Sequence, residues 1–241
     1  MHTLVIDAGN TQVKCGVFEQ NQLVRTERIS YEALAEELPK CIQLYAVEAI
    51  LVSDVSGKIT AIFEAISLSI PIHFLNPSFQ LPFHNHYQSA TLGSDRIALV
   101  AGAMSVFPDT HCLVIDAGTC VTYDLITSSH AYLGGAISPG LYMRLKAMHS
   151  FTGKLPLPGW EAPKSYMGNT THDCLLSGAY YGLVGEIEYM VARYASEYEG
   201  LQVILSGGDA SELAMNIKTS IFVHEHLLLY GLNKLLIHNA E

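Results

Sequence analysis

The five residues Val5-Ile6-Asp7-Ala8-Gly9 recur unchanged as Val114-Ile115-Asp116-Ala117-Gly118, and each copy is followed by small polar residues and then β-branched ones. An apolar run that ends in Asp-x-Gly reads as a strand entering a tight turn. Its glycine lets backbone N–H groups approach an anion, and its carboxylate can hold Mg²⁺. One such turn reads equally well as a surface Asx-turn with no ligand. Two facing copies, each offering an Asp, a Gly and a Thr, can grip the phosphate chain of a nucleotide from both sides. Other patterns fail. There is no G-x-x-x-x-G-K-[ST], and no G-x-G-x-x-G follows a strand. Ala136-Ile137-Ser138-Pro139-Gly140 is shaped like a nucleophile elbow, but Pro139 has no N–H to donate to an oxyanion. His84/His86 and His224/His226 have a chelating spacing without a third ligand cluster, so solvated or partly buried histidines are expected.

The elements that must position these turns follow from the hydrophobic pattern. Strands are expected at Leu4-Val5-Ile6, Val13 to Phe18 and Gln22 to Ile29, a β-meander, followed by a helix from Tyr31 to about Tyr45 with Ser30 as N-cap. A strand at 49–52, a helix at 58–68 and a strand at 72–75 come next. A Pro-, Asn-, His- and Ser-rich loop then spans Asn76 to Ser94, a length that tends to carry function. A helix from Asp95 to Val106 leads to Pro108. The plan then restarts with strands at 112–115, 120–126 and 131–137, a helix at 139–149 and a Pro/Gly-rich loop from Thr152 to Gly168. A helix at 172–198, a strand at 202–205, a Gly-Gly turn, a helix at 210–215, a strand at 221–223 and a leucine-rich closing helix near 226–238 complete it. The repeated pentapeptide in a repeated context implies two structurally duplicated halves in an α/β chain.

Composition narrows the partners. The chain has 241 residues, 49% hydrophobic and 15% charged, with a net charge of −10 at pH 7. That length makes one to two domains with a large core and excludes disorder. An acidic balance argues against a nucleic acid or an anionic membrane surface as partner. The five cysteines, Cys15, Cys41, Cys112, Cys120 and Cys174, form no C-x-x-C pair, and Met1-His2-Thr3 opens no signal-like segment. A cytoplasmic protein with reduced thiols and no membrane span is expected.

The paired Asp7/Asp116 turns, with Gly207-Gly208 after the apolar strand Val203-Ile204-Leu205, resemble the nucleotide-binding superfamily of acetate and sugar kinases, heat-shock chaperones and actin. The resemblance implies two duplicated ribonuclease-H-like lobes, here 1–110 and 111–241, with mixed sheets flanked by helices and a nucleotide cleft between them. Within the superfamily, the chain resembles type III pantothenate kinases. Asp7-Ala8-Gly9-Asn10-Thr11 is similar to that family's first phosphate motif, and Leu92-Gly93-Ser94-Asp95-Arg96 to its pantothenate motif G-x-D-R. Asp116-Ala117-Gly118-Thr119-Cys120-Val121-Thr122 is similar to the second phosphate motif, and Gly134 to Gly140 to the dimer-interface motif. These run in the family's order over most of the chain. The implied activity is ATP-dependent phosphorylation of pantothenate to 4′-phosphopantothenate, the first step of coenzyme A biosynthesis, by a homodimer.

Phosphorylating an alcohol needs a proton acceptor beside the hydroxyl and positive charge around the transferring group. Asp95 is the candidate acceptor, and read alone it equally answers the dipole of the helix it begins. Arg96 can clamp the carboxylate of pantothenate bidentately. The resemblance extends the substrate site to Tyr87, Gly93, Ser94 and Thr171; Thr171 also reads as a helix N-cap. It places the ATP phosphates against Asp7, Ala8, Gly9, Asn10, Thr11, Gln12, Val13 and Lys14 on one side and Thr119 on the other. Lys14 reads equally as an exposed strand charge. Asp116 is implied to bind the monovalent cation, K⁺ or NH4⁺, that this kinase type needs. Gly207 and Gly208 would let the backbone approach the adenine, or make a plain turn. The chain departs from the family where Tyr87-Gln88-Ser89-Ala90-Thr91 lacks a Pro and is one residue short, which bears on Tyr87, and where Cys120 and Val121 replace the more familiar Ala and Thr. The competing readings are a nucleotide-binding regulatory or accessory protein on the same scaffold, and a kinase for another small alcohol.

Overall fold

The computed structural model describes residues 1–9, 12–54, 57–66, 68–76, 78–89 and 91–240. It divides into two compact units, Met1–Pro108 with the tail from His226, and Asp109–Glu225.

In the first unit, β1 (His2–Ala8), β2 (Val13–Glu19) and β3 (Gln22–Ile29) form the expected meander, and β4 (Ala49–Asp54) and β5 (Ile72–Phe74) extend it in the order β3-β2-β1-β4-β5. β1 is central and buried along its length after His2, as its unbroken Leu4-Val5-Ile6 run requires. The edge strand β3 instead exposes Arg25 and Arg28, charges that discourage further strand pairing. α1 (Tyr31–Tyr45) starts where Ser30 Oγ accepts from the Ala33 N–H at 3.4 Å, and it packs Leu34 and Leu38 against Leu4, Ile6 and Ile50. α2 (Ile59–Ala65) is shorter than its apolar pattern suggests. A two-residue strand, β6 (His84–Asn85), interrupts the expected long loop before α3 (Ser94–Val106).

The second unit repeats this plan. β7 (Cys112–Ala117), β8 (Cys120–Ile126) and β9 (Ala131–Pro139) are a meander, and β10 (Gln202–Ser206) and β11 (Phe222–Val223) continue it in the order β9-β8-β7-β10-β11. In both units the first two strands are antiparallel and the fourth lies parallel to the first. α4 (Leu141–Ser150) begins two residues later than expected because β9 continues to Pro139, where the absent N–H costs the ladder nothing at the strand's end. α5 (Thr171–Ala195) packs Tyr180, Leu183 and Ile187 on Leu113, Ile115 and Tyr123, and α6 (Ala210–Ala214) adds Leu213 to the same core.

The leucine-rich tail forms α7 (Leu227–His238). A boundary at 110 assigns this helix to the C-terminal lobe, whereas the structure packs it in the first unit, against α3 and β1. Two glycines explain the seat. A Cβ on Gly231 would lie 1.6 Å from the Ala98 carbonyl oxygen, and one on Gly102 would lie 2.3 Å from that of Leu227, so the helix backbones touch. Buried Asn233 accepts from Thr3 Oγ1 at 2.5 Å and donates to the Gln20 carbonyl at 2.9 Å, which ties the tail to the far end of β1. No helix among the described residues is long and apolar enough to cross a membrane.

Candidate active site

Asp7 lies at the C-terminal end of β1, where ligands of open α/β sheets gather. Its register partners are Lys14 on β2 and Ser53 on β4, so the three side chains form a row across three strands on one face. α3 begins beside this row: Ser53 Oγ lies 3.1 Å from Ser94 Oγ. The start of α3 is capped by the Gly93 backbone, and Asp95 folds back so that its Oδ1 accepts from the Arg96 N–H at 2.8 Å. Glycine at 93 permits that fold, because a Cβ there would lie 2.3 Å from Asp95 Oδ1. Arg96 is buried, with its guanidinium carbon 5.3 Å from the centre of the Tyr87 ring.

Asp7 is only 9% exposed. Burial pushes its pKa from 3.8 up to about 6, Lys14 pulls it back, and the Asp95 charge adds to the rise. Two carboxylates that feel each other at the head of a helix, beside a lysine, suit divalent-cation binding and proton transfer.

The turn after β1 is held from below. Tyr31 OH donates to the Gly9 carbonyl at 2.5 Å, and Lys58 Nζ sits 5.4 Å from the centre of the Tyr31 ring. Gly9 N–H donates to the Gln12 carbonyl at 3.2 Å. Ala8 and Val13 pair across the hairpin and bury their side chains in the core, so only their backbones could meet a phosphate; Gln12 is exposed. Asn10 and Thr11 lie outside the described residues.

In the second unit Asp116 occupies the equivalent place on β7, between Thr122 on β8 and Ser206 on β10. Gly118 N–H donates to the Cys120 carbonyl at 2.9 Å, which leaves Thr119 exposed at the tip of the turn. Gly140 backs this turn: its N–H donates to the Thr119 carbonyl at 3.1 Å, and a Cβ would lie 2.0 Å from the Gly118 oxygen. Gly207 has φ +98° and sits so close to Ala117 that a Cβ would lie 2.2 Å from its carbonyl oxygen. Gly118, Thr119, Tyr142, Met143, Lys146 and Asp209 line a pocket of about 440 Å³. It combines a phosphate-type turn, a cation and an aromatic face.

The model of the type III pantothenate kinase family matches residues 3–193. A type III pantothenate kinase from Flavobacterium psychrophilum is 40% identical over 234 residues, covering 96% of this chain and 97% of that protein. One from Bacteroides fragilis is 37% identical over 98% of both chains. The chain belongs to the type III pantothenate kinase family. Among solved structures, a Baf-family protein from Campylobacter jejuni aligns with TM-score 0.65 at 21% identity over 98% of both chains. A ROK-family glucokinase from Streptomyces griseus aligns with TM-score 0.55 at 12% identity over 98% of this chain and 99% of that one. These two likenesses speak for the fold.

As a type III pantothenate kinase, the protein gathers Asp7, Lys14, Tyr87, Gly93, Ser94, Asp95 and Arg96 in its first unit, while Asp116, Thr119 and Thr171 belong to the second. The shortened loop leaves Tyr87 against Arg96 all the same. The cap of α5 is Thr170 and not Thr171: Thr170 Oγ1 accepts from the Asp173 N–H at 3.1 Å and donates to the Asp173 carboxylate at 2.6 Å. Thr171 is thereby an exposed first helical residue with no capping duty. Reasoning from sequence missed Ser53, the Tyr31–Lys58 support and the pocket residues Tyr142, Lys146 and Asp209. Ser53 alone carried a signal, as a polar residue closing an apolar strand parallel to β1.

Proposed function

We propose that this kinase transfers the γ-phosphoryl group of ATP to the primary hydroxyl of pantothenate, giving 4′-phosphopantothenate and ADP, with Asp95 as the proton acceptor. The single observation that carries the assignment is that Asp95, in the first turn of α3, feels the charge of Asp7 at the end of β1, while the Arg96 guanidinium is buried against the Tyr87 ring. The substrate carboxylate pairs with Arg96, and Tyr87 and Ser94 bound the same substrate; Thr171, in the second unit, is a further substrate residue. Asp95 takes the hydroxyl proton as the oxygen bonds to the γ-phosphorus and the bond to the β,γ-bridging oxygen breaks. In the first unit the backbone of Ala8, Gly9, Gln12 and Val13, together with Asn10, Thr11 and Lys14, serves the phosphates, and in the second unit Thr119 does.

A divalent cation, Mg²⁺, neutralises charge on the β- and γ-phosphates when bound. Asp7 fits it: a buried carboxylate whose ionised form is disfavoured gains most from a metal partner. Asp116 is the residue for the monovalent cation, K⁺ or NH4⁺. The active form is a cytoplasmic homodimer. Support comes from exposed apolar residues in and beside the Gly134–Gly140 segment, namely Leu133, Ile137 and Tyr142, and from five cysteines that are all unpaired.

The test is ADP release with pantothenate, with pantothenol, which lacks the carboxylate, and with no acceptor, each with and without K⁺. The reading predicts release that depends on pantothenate and falls steeply with pantothenol. Nucleotide binding in calorimetry without any phosphorylated product would favour the accessory-protein reading and overturn this one.

A further inference from the structure

The two phosphate-type turns are held by different means. The first is propped by a side chain, the Tyr31 hydroxyl on the Gly9 carbonyl. The second is propped by backbone: the Gly140 N–H donates to the Thr119 carbonyl at 3.1 Å, and a Cβ on Gly140 would lie 2.7 Å from that oxygen. A backbone prop is only as well placed as its own anchor. Whatever fixes Ser138-Pro139-Gly140 therefore decides where Thr119 stands.

That anchor is an ionic cluster. Arg144, in the first turn of α4, reaches back so that its Nε donates to the Pro139 carbonyl at 2.9 Å and a terminal nitrogen donates to Ser138 Oγ at 3.1 Å. The same nitrogen pairs with Glu186 on α5. Glu186 also accepts from Ser138 Oγ and from Tyr123 OH, each at 3.0 Å. Burial opposes the ionisation of Glu186, but the bonds from Arg144, Ser138 and Tyr123 outweigh it and hold the carboxyl below its usual range. The Arg144 and Glu186 side chains are 20% and 28% exposed, a setting in which charge-assisted bonds are strong and fix one geometry more than they add net stability. On the opposite face of α4, Tyr142, Met143 and Lys146 line the pocket that Gly118 and Thr119 share. One arginine thus sets both the prop behind the turn and the helix that walls the pocket.

We propose that Glu186, acting through Arg144, is a positioning residue for the nucleotide: the pair fixes the end of β9 and the first turn of α4, and these hold the Thr119 turn where it meets the phosphates. Glu186 lies on α5, across the cluster from the turn, and touches no reacting atom. Its effect is on the placement of a backbone loop, where a small displacement is costly. The proposal rests on the reading of Thr119 as a phosphate residue.

The experiment is steady-state kinetics of the full chain with ATP and pantothenate varied in turn, on the native protein, Glu186→Gln, Arg144→Lys and Thr119→Glu, with a melting temperature for each. Glu186→Gln keeps acceptors for Tyr123 and Ser138 but loses the charge facing Arg144. Arg144→Lys keeps a charge facing Glu186 but cannot also bond the Pro139 carbonyl through a second nitrogen. Each should raise KM for ATP by about tenfold and leave KM for pantothenate within about twofold, a split that a general loosening of the fold would not produce. Arg144→Lys is the milder lesion and decides the matter if Glu186→Gln fails to fold. Thr119→Glu places a carboxylate at the exposed tip of the turn and should raise KM for ATP by at least about tenfold through repulsion of the phosphates. A native KM for ATP in the cluster variants, or an equal rise in both KM values, would overturn the positioning role; with KM for ATP still raised in Thr119→Glu, the reading of Thr119 would stand. A native KM for ATP in Thr119→Glu would overturn that reading and the proposal with it.

Discussion

Replacing Asp7 by Asn should make the protein more stable and inactive, with a pH signature that identifies the cause. Burial raises the Asp7 pKa from 3.8 to about 6. The folded state therefore holds this proton more tightly than the unfolded state. Stability should fall as pH rises from about 4 to about 6 and stay at the lower level above that. At about 1.4 kcal/mol per pH unit, the rise corresponds to roughly 3 kcal/mol. Asparagine has nearly the same shape and no charge, so it escapes the fall. Urea unfolding followed by circular dichroism, run on both proteins from pH 4 to 8, isolates the effect as a difference in which other titrating groups cancel. The two proteins should be nearly equally stable at pH 4, and Asp7→Asn should be more stable by about 3 kcal/mol at pH 7 and above. Affinity of the native protein for the metal–nucleotide complex should weaken below about pH 6, where Asp7 is protonated. A variant that is less stable than native at pH 7.5, or a difference that does not change with pH, would refute the argument that burial dominates at this carboxylate.

Glycine substitutions should separate by geometry. Gly207→Ala forces a Cβ to 2.2 Å from the Ala117 oxygen at φ +98° and should cost at least about 2 kcal/mol in denaturant, whereas Gly118→Ala meets nothing within 4 Å and should fold normally. Arg96→Ala should raise KM for pantothenate by about tenfold to a hundredfold, and Arg96→Lys should recover little of it, since a point charge cannot grip a carboxylate with two parallel bonds; steady-state kinetics with pantothenate varied at saturating ATP measures both. Thr170→Ala should lower stability by about 1 kcal/mol through loss of the α5 cap, and Thr171→Ala should leave melting unchanged.

The duplicated sheets were legible because both central strands are short apolar runs ending in the same Asp-Ala-Gly, and a run of that kind has few places to go but the middle of a sheet. Ser30 was legible as a cap for a similar local reason. The seat of α7 was not. A helix with Leu227, Leu229, Leu232, Leu235 and Leu236 announces that something covers it, without saying what, and the pairing of Gly102 with Gly231 acts across more than a hundred residues of chain. Asn-Thr-Thr-His-Asp offers two hydroxyls as caps, and only the bonds to Asp173 assign the duty to Thr170. The candidate site shows the same division. Asp7, Asp95 and Arg96 stand out by residue type and motif, while the burial that sets the chemistry of Asp7 and the alignment of Ser53 beside it come from strand register.

The central claim is that Asp95 accepts the proton of the substrate alcohol. Single-turnover formation of 4′-phosphopantothenate, read by mass spectrometry for the native protein and Asp95→Asn together with calorimetric pantothenate affinity, tests it most directly. The rate should fall by about two to four orders of magnitude while affinity changes by no more than a few-fold. Product formed at the native rate by Asp95→Asn, or a loss of affinity large enough to account for the whole effect, would contradict it.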